Sequence, residues 1–409
     1  MYKHPTPCAL SLALLGLPLM AQADFIADSK ASLGLTNFYF NSDYRQPGAS
    51  QSKREEWGQG FLLQYESGFT EGPVGFGVDA IGMLGIKLDS SADRINTGLL
   101  SADNDGNPQD DYSELGLTAK ARVSKSTLRV GTLIPKMPTV LSNESRLLPQ
   151  TFRGAYLESK EIDGLTLDGG RLTQNSLRND SSSEDMIVSG QAISGGRFTD
   201  QFDFAGVRYA WSKRLTTSYN YGHLDDNYKQ HLVNLVHTLG LGEGALKSDL
   251  RYARSTDDGT SNVDNRVWGA MFTYSLSGHA VSLAYQKVSG DTGFPTINGT
   301  DAFLVNYVML SPDFANPGEK SWQARYNYDF AALGIPGLTF MTRYVRGDGF
   351  ERGGRSASEW ERNSELGYAF QDGALKNFAV KWRNGTYRSG GGNEIDQNRL
   401  ILSYTLPLM

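Results

Sequence analysis

Apolar and polar side chains alternate along many short segments of this sequence, and this period of two most constrains the fold. In the segment NFAVKWRNGT, Phe378, Val380 and Trp382 share one parity. The cations Lys381 and Arg383 share the other parity. Successive side chains of a strand point to opposite faces. The pattern therefore predicts a strand with one apolar face and one charged face.

The same period recurs along most of the chain. In the segment ELGLTAKARV, for example, Leu115 and Leu117 alternate with Thr118 and Lys120. After residue 23, no apolar run approaches the ~20 residues that a membrane-spanning helix requires. A closed barrel is the other structure that satisfies every backbone hydrogen bond within lipid. If the chain lies in a membrane, we expect it to be an all-β barrel.

The first 23 residues have the three parts of a secretory signal peptide. Lys3 gives the positive start, residues 8–20 are apolar, and the small-residue cleavage site AQA precedes Asp24. Cleavage removes Cys8, the single cysteine, so the exported chain forms no intramolecular disulfide. The net charge of −6 argues against a general nucleic-acid-binding protein. We expect residues 24–409 to form one domain that is stabilised by packing or by a membrane.

Turn signals divide the chain into an even number of strand-like segments. The predicted strands are 31–40, 57–66, 74–87, 112–123, 127–134, 151–160, 165–173, 201–211, 215–223, 229–239, 246–254, 266–276, 280–287, 319–330, 337–346, 359–370, 375–388 and 395–409. Short connections and long polar loops alternate between them, which is typical of outer-membrane barrels. A barrel of this size keeps a water-filled lumen. We therefore predict an 18-stranded antiparallel transmembrane β-barrel.

Cations occupy the inward parity of several of the last predicted strands. They are Arg325, Arg343, Lys381, Arg383 and Arg399. Residues i and i+2 on one face lie about 6.6 Å apart, so Lys381 and Arg383 form adjacent rungs. A column of cations along one wall of an acidic protein draws anions into the lumen.

Acidic residues and further cations share the predicted inner face. Glu361 and Glu365 lie on the inner parity of the strand before Lys381, so a solvated network of ion pairs is the alternative interpretation. The two interpretations are compatible, because paired cations still steer anions. Lys120, Arg122 and Arg129 add positive charge from earlier strands.

A barrel this wide selects solutes only if loops fold inward. Residues 135–154 form a long loop with several prolines and with Arg146 at its centre. The 288–318 loop is too apolar for exposure to solvent, which predicts that its central residues are covered inside the barrel. These residues are Phe303, Leu304, Val305, Tyr307 and Val308.

Four stretches carry a family resemblance. They are GFGVDAIGMLGIKLDSS (75–91), SRLLPQTFRG (145–154), NPGEKSWQARYN (316–327) and PGLTFMTRYVRG (336–347). They closely resemble the OprD family of outer-membrane porins, the substrate-specific channels of pseudomonads. The resemblance runs from about residue 24 to residue 409. It implies an 18-stranded barrel in the outer membrane, with the third and seventh loops folded inward and a basic ladder leading to a narrow eyelet.

The resemblance also implies roles for individual residues. Lys381, Arg383 and Arg399 match ladder positions, which Arg325 and Arg343 extend. Asp301 matches the acidic eyelet residue of the seventh loop, and Ser145 and Arg146 match the third-loop segment near the constriction. Lys381 stands where better-known members have arginine, so its grip on a carboxylate is point-like. The chain ends in Met409 instead of the terminal Phe that is usual in barrel assembly signals.

The family divides into channels for basic amino acids and channels for carboxylates, often aromatic ones such as benzoate. The compact stretch between Phe294 and Asp301 resembles the second, OpdK/BenF-like group. We expect passive, selective diffusion of small carboxylates without a cofactor, and a basic amino acid or peptide channel is the alternative. The partners implied are outer-membrane lipid and lipopolysaccharide and the barrel assembly machinery. Both a monomer and a homotrimer are compatible with the sequence.

An enzyme and a non-conducting barrel are the alternatives from other classes. A barrel hydrolase requires a nucleophile and a base in register. None of the histidines after the signal peptide, His223, His231, His237 and His279, lies in a catalytic or metal-binding motif. The segment GLGEG opens no βαβ unit, so no dinucleotide site is predicted. Strands begin near residue 31, which leaves no room for the plug domain of an energy-coupled receptor. A barrel adhesin with a blocked lumen would pass no ions.

Overall fold

Eighteen antiparallel strands form a closed ring in the computed structural model, which describes residues 25–310 and 314–409. The ring closes because β1 pairs with both β2 and β18. The strands, numbered in chain order, are β1 Lys30–Tyr44, β2 Lys53–Glu66, β3 Gly75–Asp89, β4 Asp111–Val123, β5 Ser126–Leu133, β6 Thr151–Ser159, β7 Leu165–Ser176, β8 Phe202–Ser212, β9 Leu215–Leu224, β10 Tyr228–Leu241, β11 Gly244–Asp257, β12 Asp264–Leu276, β13 His279–Ser289, β14 Lys320–Asp329, β15 Leu338–Arg352, β16 Arg355–Ala369, β17 Phe378–Ser389 and β18 Glu394–Pro407. The predicted fold class is therefore confirmed, whereas the predicted signal peptide lies outside the described residues.

The alternation of the sequence becomes an outer and an inner face. Leu115 and Leu117 on β4 are 78% and 61% exposed, because their side chains point away from the ring. Their neighbours Thr118 and Lys120 are 5% and 8% exposed and point inward. Trp382 on β17 points outward as predicted, with Lys381 and Arg383 on the opposite parity.

Several strands are longer than the sequence pattern predicts. The β15–β16 hairpin extends the predicted segments 337–346 and 359–370 towards each other until only Gly353 and Gly354 separate them. These two glycines have φ of 59° and 71°. Positive φ at both central residues is the requirement of the tight type I′ hairpin turn. The turn thus lets backbone pairing continue beyond the segments that the alternation marks.

The two ends of the ring differ. At one end the connections are short, and two of them contain 3-10 turns, Phe330–Leu333 and Gly373–Leu375. At the other end lie long loops, including L2 (90–110), L3 (134–150), L4 (177–201) and L7 (290–319). Among the described residues, no helix is long and apolar enough to cross a membrane.

Loops fill the ring near its long-loop end and build an apolar core there. Met137 and Val140 of L3 pack with Ile297 of L7 and with Phe202 of the wall. Leu304 of L7 lies in a neighbouring cluster. The predicted cover for the apolar part of L7 is confirmed, because Leu304, Val305 and Val308 are at most 7% exposed and Phe303 and Tyr307 are partly buried.

L4 also folds inward, although the sequence analysis singled out only the two loops that contain 135–154 and 288–318. Val188–Ser189 of L4 forms a short antiparallel pair with Thr296–Ile297 of L7. The signal for this contact is the short apolar run that starts at Met186, whose side chain is fully buried. In a long polar loop, such a short run does not stand out.

Candidate constriction and arginine wall

Three loops interlock across the lumen. The backbone N–H of Asp301 in L7 donates to the carbonyl of Leu141 in L3 at 2.8 Å. Asn298 of L7 is a second junction. Its carbonyl accepts a 3.0 Å hydrogen bond from Gln150 of L3, and its side-chain oxygen accepts from the backbone N–H of Ile187 in L4 at 3.2 Å. The constriction is therefore one connected unit.

A cavity of about 700 Å³ opens between these loops and the barrel wall. Six guanidinium groups line it: Arg146, Arg178, Arg325, Arg343, Arg383 and Arg399. Two carboxylate residues, Glu365 and Asp329, complete its charged lining. The cavity is therefore strongly cationic. We call these six residues the arginine wall.

Arg146 and Arg399 meet at one aromatic ring. Their guanidinium carbons lie 4.9 and 4.8 Å from the centre of the Phe40 ring. Arg146 donates to the carbonyl of Thr97 at 3.0 Å, and Arg399 donates to the carbonyl of Met309 in L7 at 3.1 Å. Burial, followed by repulsion from the neighbouring arginines, lowers the pKa of Arg146. The wall thus holds like charges close together, an arrangement that attracts anions.

Arg178 of L4 is a wall residue that the sequence analysis did not identify. It donates a 3.2 Å hydrogen bond to the hydroxyl of Ser145, which also accepts from Arg146 at 3.0 Å. Ser145 thus orients two guanidinium groups. Burial lowers the pKa of Arg178.

Asp301 lies beside the cavity, behind Tyr307. The Tyr307 hydroxyl donates a short hydrogen bond to the Asp301 carboxylate, and Tyr307 itself lines the cavity. Burial raises the pKa of Asp301, although the Tyr307 hydrogen bond and the charges of Arg178 and Arg146 favour its ionised form. Asp301 is thus the acidic member of a mainly cationic cluster.

The lower wall continues along neighbouring strands. Arg343 donates to the Tyr307 carbonyl at 3.2 Å, which ties the wall to L7. Arg383 and Lys381 form ion pairs of 2.5 and 3.4 Å with the two oxygens of Glu365. Glu365 therefore belongs to an ion-pair network with two of the predicted ladder residues.

Comparison with known proteins identifies the family. Residues 23–408 match the family described as "outer membrane porin, OprD family". The chain belongs to the OprD family. It is 40% identical to the porin-like protein GalP of Pseudomonas putida, over 96% of each chain. The family resemblance and the outer-membrane location are thereby confirmed, and the chain is a porin channel.

Solved structures of OprD-family porins have the same barrel. The crystal structure of Pseudomonas aeruginosa OpdQ is 58% identical, with a TM-score of 0.88 over 95% of this chain and 100% of that one. A BenF-like porin from Pseudomonas fluorescens is 43% identical, with a TM-score of 0.90 over 94% of this chain and 100% of that one. In outer-membrane barrels, the short turns lie at the periplasmic end and the long loops at the extracellular end. The porin is therefore described in this orientation.

Two predicted contributors of charge serve structural contacts. Glu361 accepts hydrogen bonds from the backbone N–H groups of Met309 and Leu310 at 3.0 and 2.9 Å, so it anchors L7 to β16 of the porin. Lys120 forms a 2.5 Å ion pair with Asp79. Its positive charge is therefore neutralised locally.

Arg122 and Arg129 also lie apart from the arginine wall of this porin. Arg122 stacks on Phe69, at 4.2 Å from the ring centre, next to a periplasmic turn. Arg129 lines a separate space together with Tyr156. The predicted positive charge of the earlier strands is present, but it lies outside the cavity that the six arginines share.

One group of potential metal ligands occurs among the described residues. His223, Asp225 and Asp258 place ligand atoms within 4.8 Å of one another at the extracellular rim. Asp258 already accepts hydrogen bonds from His223 and Lys229 at 2.7 and 2.6 Å. Because Lys229 supplies the positive charge, we assign this group to an ion-pair network.

Proposed function

We propose that this porin takes up small carboxylates, aromatic ones such as benzoate in particular, by passive and selective diffusion. The observation that carries the proposal is the arginine wall, because six guanidinium groups share one cavity with two acids. A guanidinium matches a carboxylate geometrically through two parallel hydrogen bonds. The volume of about 700 Å³ lies within the range of small-molecule sites.

In the proposed mechanism, a carboxylate moves between successive guanidinium groups. It enters past Arg146 and Arg178 at the constriction and then exchanges contacts along the wall towards Lys381. Net flux requires binding that is strong enough for entry and weak enough for release. Glu365 serves the second requirement, because it competes with the substrate for Arg383 and Lys381 at the lower end.

An aromatic substrate gains a second set of contacts in the same cavity. Tyr307, Met309 and Phe340 line it beside the arginines. Aromatic rings and thioethers pack favourably against an aryl ring. The proposal therefore assigns the carboxylate to the arginine wall and the ring to these side chains. Asp301, Ser145 and Arg146 form the proposed selective constriction.

Competition between substrates tests the proposed function. We expect benzoate to block single-channel current in planar bilayers at lower concentrations than arginine does. The double substitution Lys381→Glu with Arg383→Glu should reduce benzoate flux, because it reverses two charges of the ladder. Stronger block by arginine would favour the basic amino acid alternative, and unchanged benzoate flux in the double variant would exclude the ladder. A barrel without conductance would support an adhesin.

We also propose that residues 1–23 direct export and are removed before assembly. The family match begins at residue 23, which agrees with a mature domain that starts near Asp24. Mass determination of the protein purified from outer membranes tests this boundary, and a retained N-terminus would contradict it.

A further inference from the structure

A repeated pair of residues marks the lipid-facing surface of five neighbouring strands. Each strand carries an aromatic residue and, two positions nearer the extracellular end on the same face, a cation. The pairs are Tyr252 and Arg254 on β11, Trp268 and Arg266 on β12, Tyr285 and Lys287 on β13, Trp322 and Lys320 on β14, and Tyr344 and Arg346 on β15. Because i and i+2 lie about 6.6 Å apart, each cation lies one step beyond the aromatic ring.

The aromatic residues of these pairs form the interfacial girdle of the barrel. Trp268, Trp322 and Tyr252 are 45%, 44% and 42% exposed on the outer surface. The ring centres of Trp268 and Tyr285 are 5.5 Å apart, and those of Trp322 and Tyr344 are 5.4 Å apart. Such rings lie at the level of the lipid headgroups. The cations beyond them therefore lie at the depth of headgroup phosphates.

On this surface, two cations each lie directly opposite a cation of the neighbouring strand. Arg254 of β11 pairs directly with Arg266 of β12, and Lys287 of β13 pairs directly with Lys320 of β14. Opposite residues of neighbouring strands lie about 5 Å apart, and like charges in this position are destabilising. Such pairs are favourable when an anion lies between them.

Four of these five cations have no acidic partner within the described part of the chain. Arg254 is ion-paired with Asp264, whereas Arg266, Lys287, Lys320 and Arg346 form no ion pair with a described residue. Asp348 is the cross-strand neighbour of Lys320, without an ion pair between the two side chains. We call the four unpaired residues the outer basic belt.

Two other cations on the extracellular rim are neutralised by the protein itself. Arg171 on β7 forms a 2.6 Å ion pair with Asp203, and Lys229 on β10 forms a 2.6 Å ion pair with Asp258. In the outer basic belt, by contrast, Lys287 and Lys320 are directly opposed and neither is ion-paired with a described residue. The belt spans β12 to β15.

We propose that the outer basic belt binds the phosphate groups of an anionic glycolipid in the outer leaflet. Its cations lie at headgroup depth and are spaced by neighbouring strands, so one diphosphorylated headgroup can contact several of them. Its acyl chains lie along the apolar face below the girdle, where Leu283 is 61% exposed. This site is independent of the proposed substrate, because it lies on the opposite face of the barrel wall.

Native mass spectrometry of the full barrel in detergent tests the belt. The probes are diphosphorylated lipid A and the same lipid without phosphates. We expect the wild-type porin to bind the diphosphorylated lipid at least about tenfold more tightly than the variant with Arg266→Gln, Lys287→Gln, Lys320→Gln and Arg346→Gln. The dephosphorylated lipid should bind both proteins equally, and added salt should weaken only the specific binding.

The matched control removes four exposed cations from the periplasmic turns. It carries Lys125→Gln, Lys213→Gln, Arg214→Gln and Lys376→Gln, with the same change in net charge. It should bind the diphosphorylated lipid like the wild type. Equal binding by wild type and belt variant, equal binding of both lipids by the wild type, or an equal loss in the control would each overturn the proposal. Unchanged ion conductance verifies that each variant folds. If the fourfold belt variant does not fold, the double variant Lys287→Gln with Lys320→Gln is tested in its place.

Discussion

At the residue scale, two members of the arginine wall are oriented by contacts with neutral groups. Carbonyl groups of Thr97 and Met309 and the ring of Phe40 orient Arg146 and Arg399 without supplying a full negative charge. A carbonyl dipole or an aromatic face stabilises a guanidinium group less than a carboxylate does. The oriented cations therefore retain their attraction for an anionic solute.

Arg399 is the wall residue whose loss we expect to affect transport most directly. The substitution Arg399→Gln removes a cation that is 3% exposed. Loss of one charge-assisted hydrogen bond to substrate, worth about 1.5 kcal/mol, should raise the half-saturating benzoate concentration about tenfold. Concentration-dependent flux into liposomes measures this change. Arg362→Gln, on the outer face of β16, is the control and should leave transport unchanged.

We expect Asp301 to make the selectivity of the proposed constriction depend on pH. Because burial raises its pKa above the ordinary value of 3.8, protonation begins at a higher pH than for an exposed aspartate. Protonation removes the negative charge near Arg146 and Arg178, so anion selectivity should increase as pH falls from about 7 towards 4. Reversal potentials in a KCl gradient, recorded at several pH values, measure this anion selectivity. In Asp301→Asn, this component of the pH dependence should be absent; an unchanged pH profile would contradict the assignment.

Individual residues differ in how well the sequence predicts them. Lys381 and Arg383 follow from the parity of their strand, because Trp382 fixes which side faces lipid. Arg178 has no such marker, since it lies in a polar loop whose path depends on contacts with Ser145. The charge of Lys120 is neutralised by an ion pair with Asp79. This ion pair depends on the register of β3 and β4, which alternation alone does not fix.

At the scale of elements, L7 is anchored by buried acids near its end. Asn316 donates hydrogen bonds to Glu319 and Glu359 at 2.7 and 3.2 Å, and both carboxylates are almost completely buried. Tyr387 also donates to Glu359 at 2.5 Å. Burial and the neighbouring Glu359 raise the pKa of Glu319. The Asn316 side chain therefore joins both buried carboxylates at the end of the loop.

The substitution Asn316→Ala should loosen L7. It removes one side-chain hydrogen bond from each of two buried carboxylates, and a hydrogen bond to a charged group contributes about 1.5–3 kcal/mol. We expect faster proteolytic cleavage within L7 of the folded porin and more frequent closures in single-channel recordings. Asn393→Ala changes an exposed amide that accepts from Gln46, and it should have neither effect. Cleavage of the Asn316 variant at the wild-type rate would show that the anchor lies elsewhere.

The elements also show where local patterns stop predicting structure. Central parts of most strands follow from alternation, because one face of each must be apolar in lipid, whereas the pattern of residues 230–238 is ambiguous. The extension of β15 to Arg352 depends on the Gly353–Gly354 turn, which continues backbone pairing without an apolar face. The pairing of Val188–Ser189 with Thr296–Ile297 joins segments far apart in sequence, and local periodicity does not encode such a contact.

At the scale of the whole molecule, the barrel separates a lipid-facing surface from an aqueous bore. A cation therefore has opposite consequences on the two sides. Leu117→Arg places a charge on the outer face of β4 and should destabilise the porin by about 2–4 kcal/mol if it lies at the bilayer midplane. Thr339→Arg faces the cavity and should have a much smaller effect. Urea-dependent refolding into vesicles compares the free energies of unfolding of the two variants. Equal destabilisation would contradict the assignment of the outer and inner faces.

The junction at Asn298 has a consequence for exchanging parts between related porins. The Asn298 side-chain oxygen accepts hydrogen bonds from Asn175 of β7 and from Ile187 of L4. The Asn298 carbonyl accepts from Gln150 of L3. A chimera that imports L7 alone would bring new chemistry but lose the partners that hold it in place. Successful grafts of specificity should therefore transfer L3, L4 and L7 together, so that the narrow passage is inherited as a set.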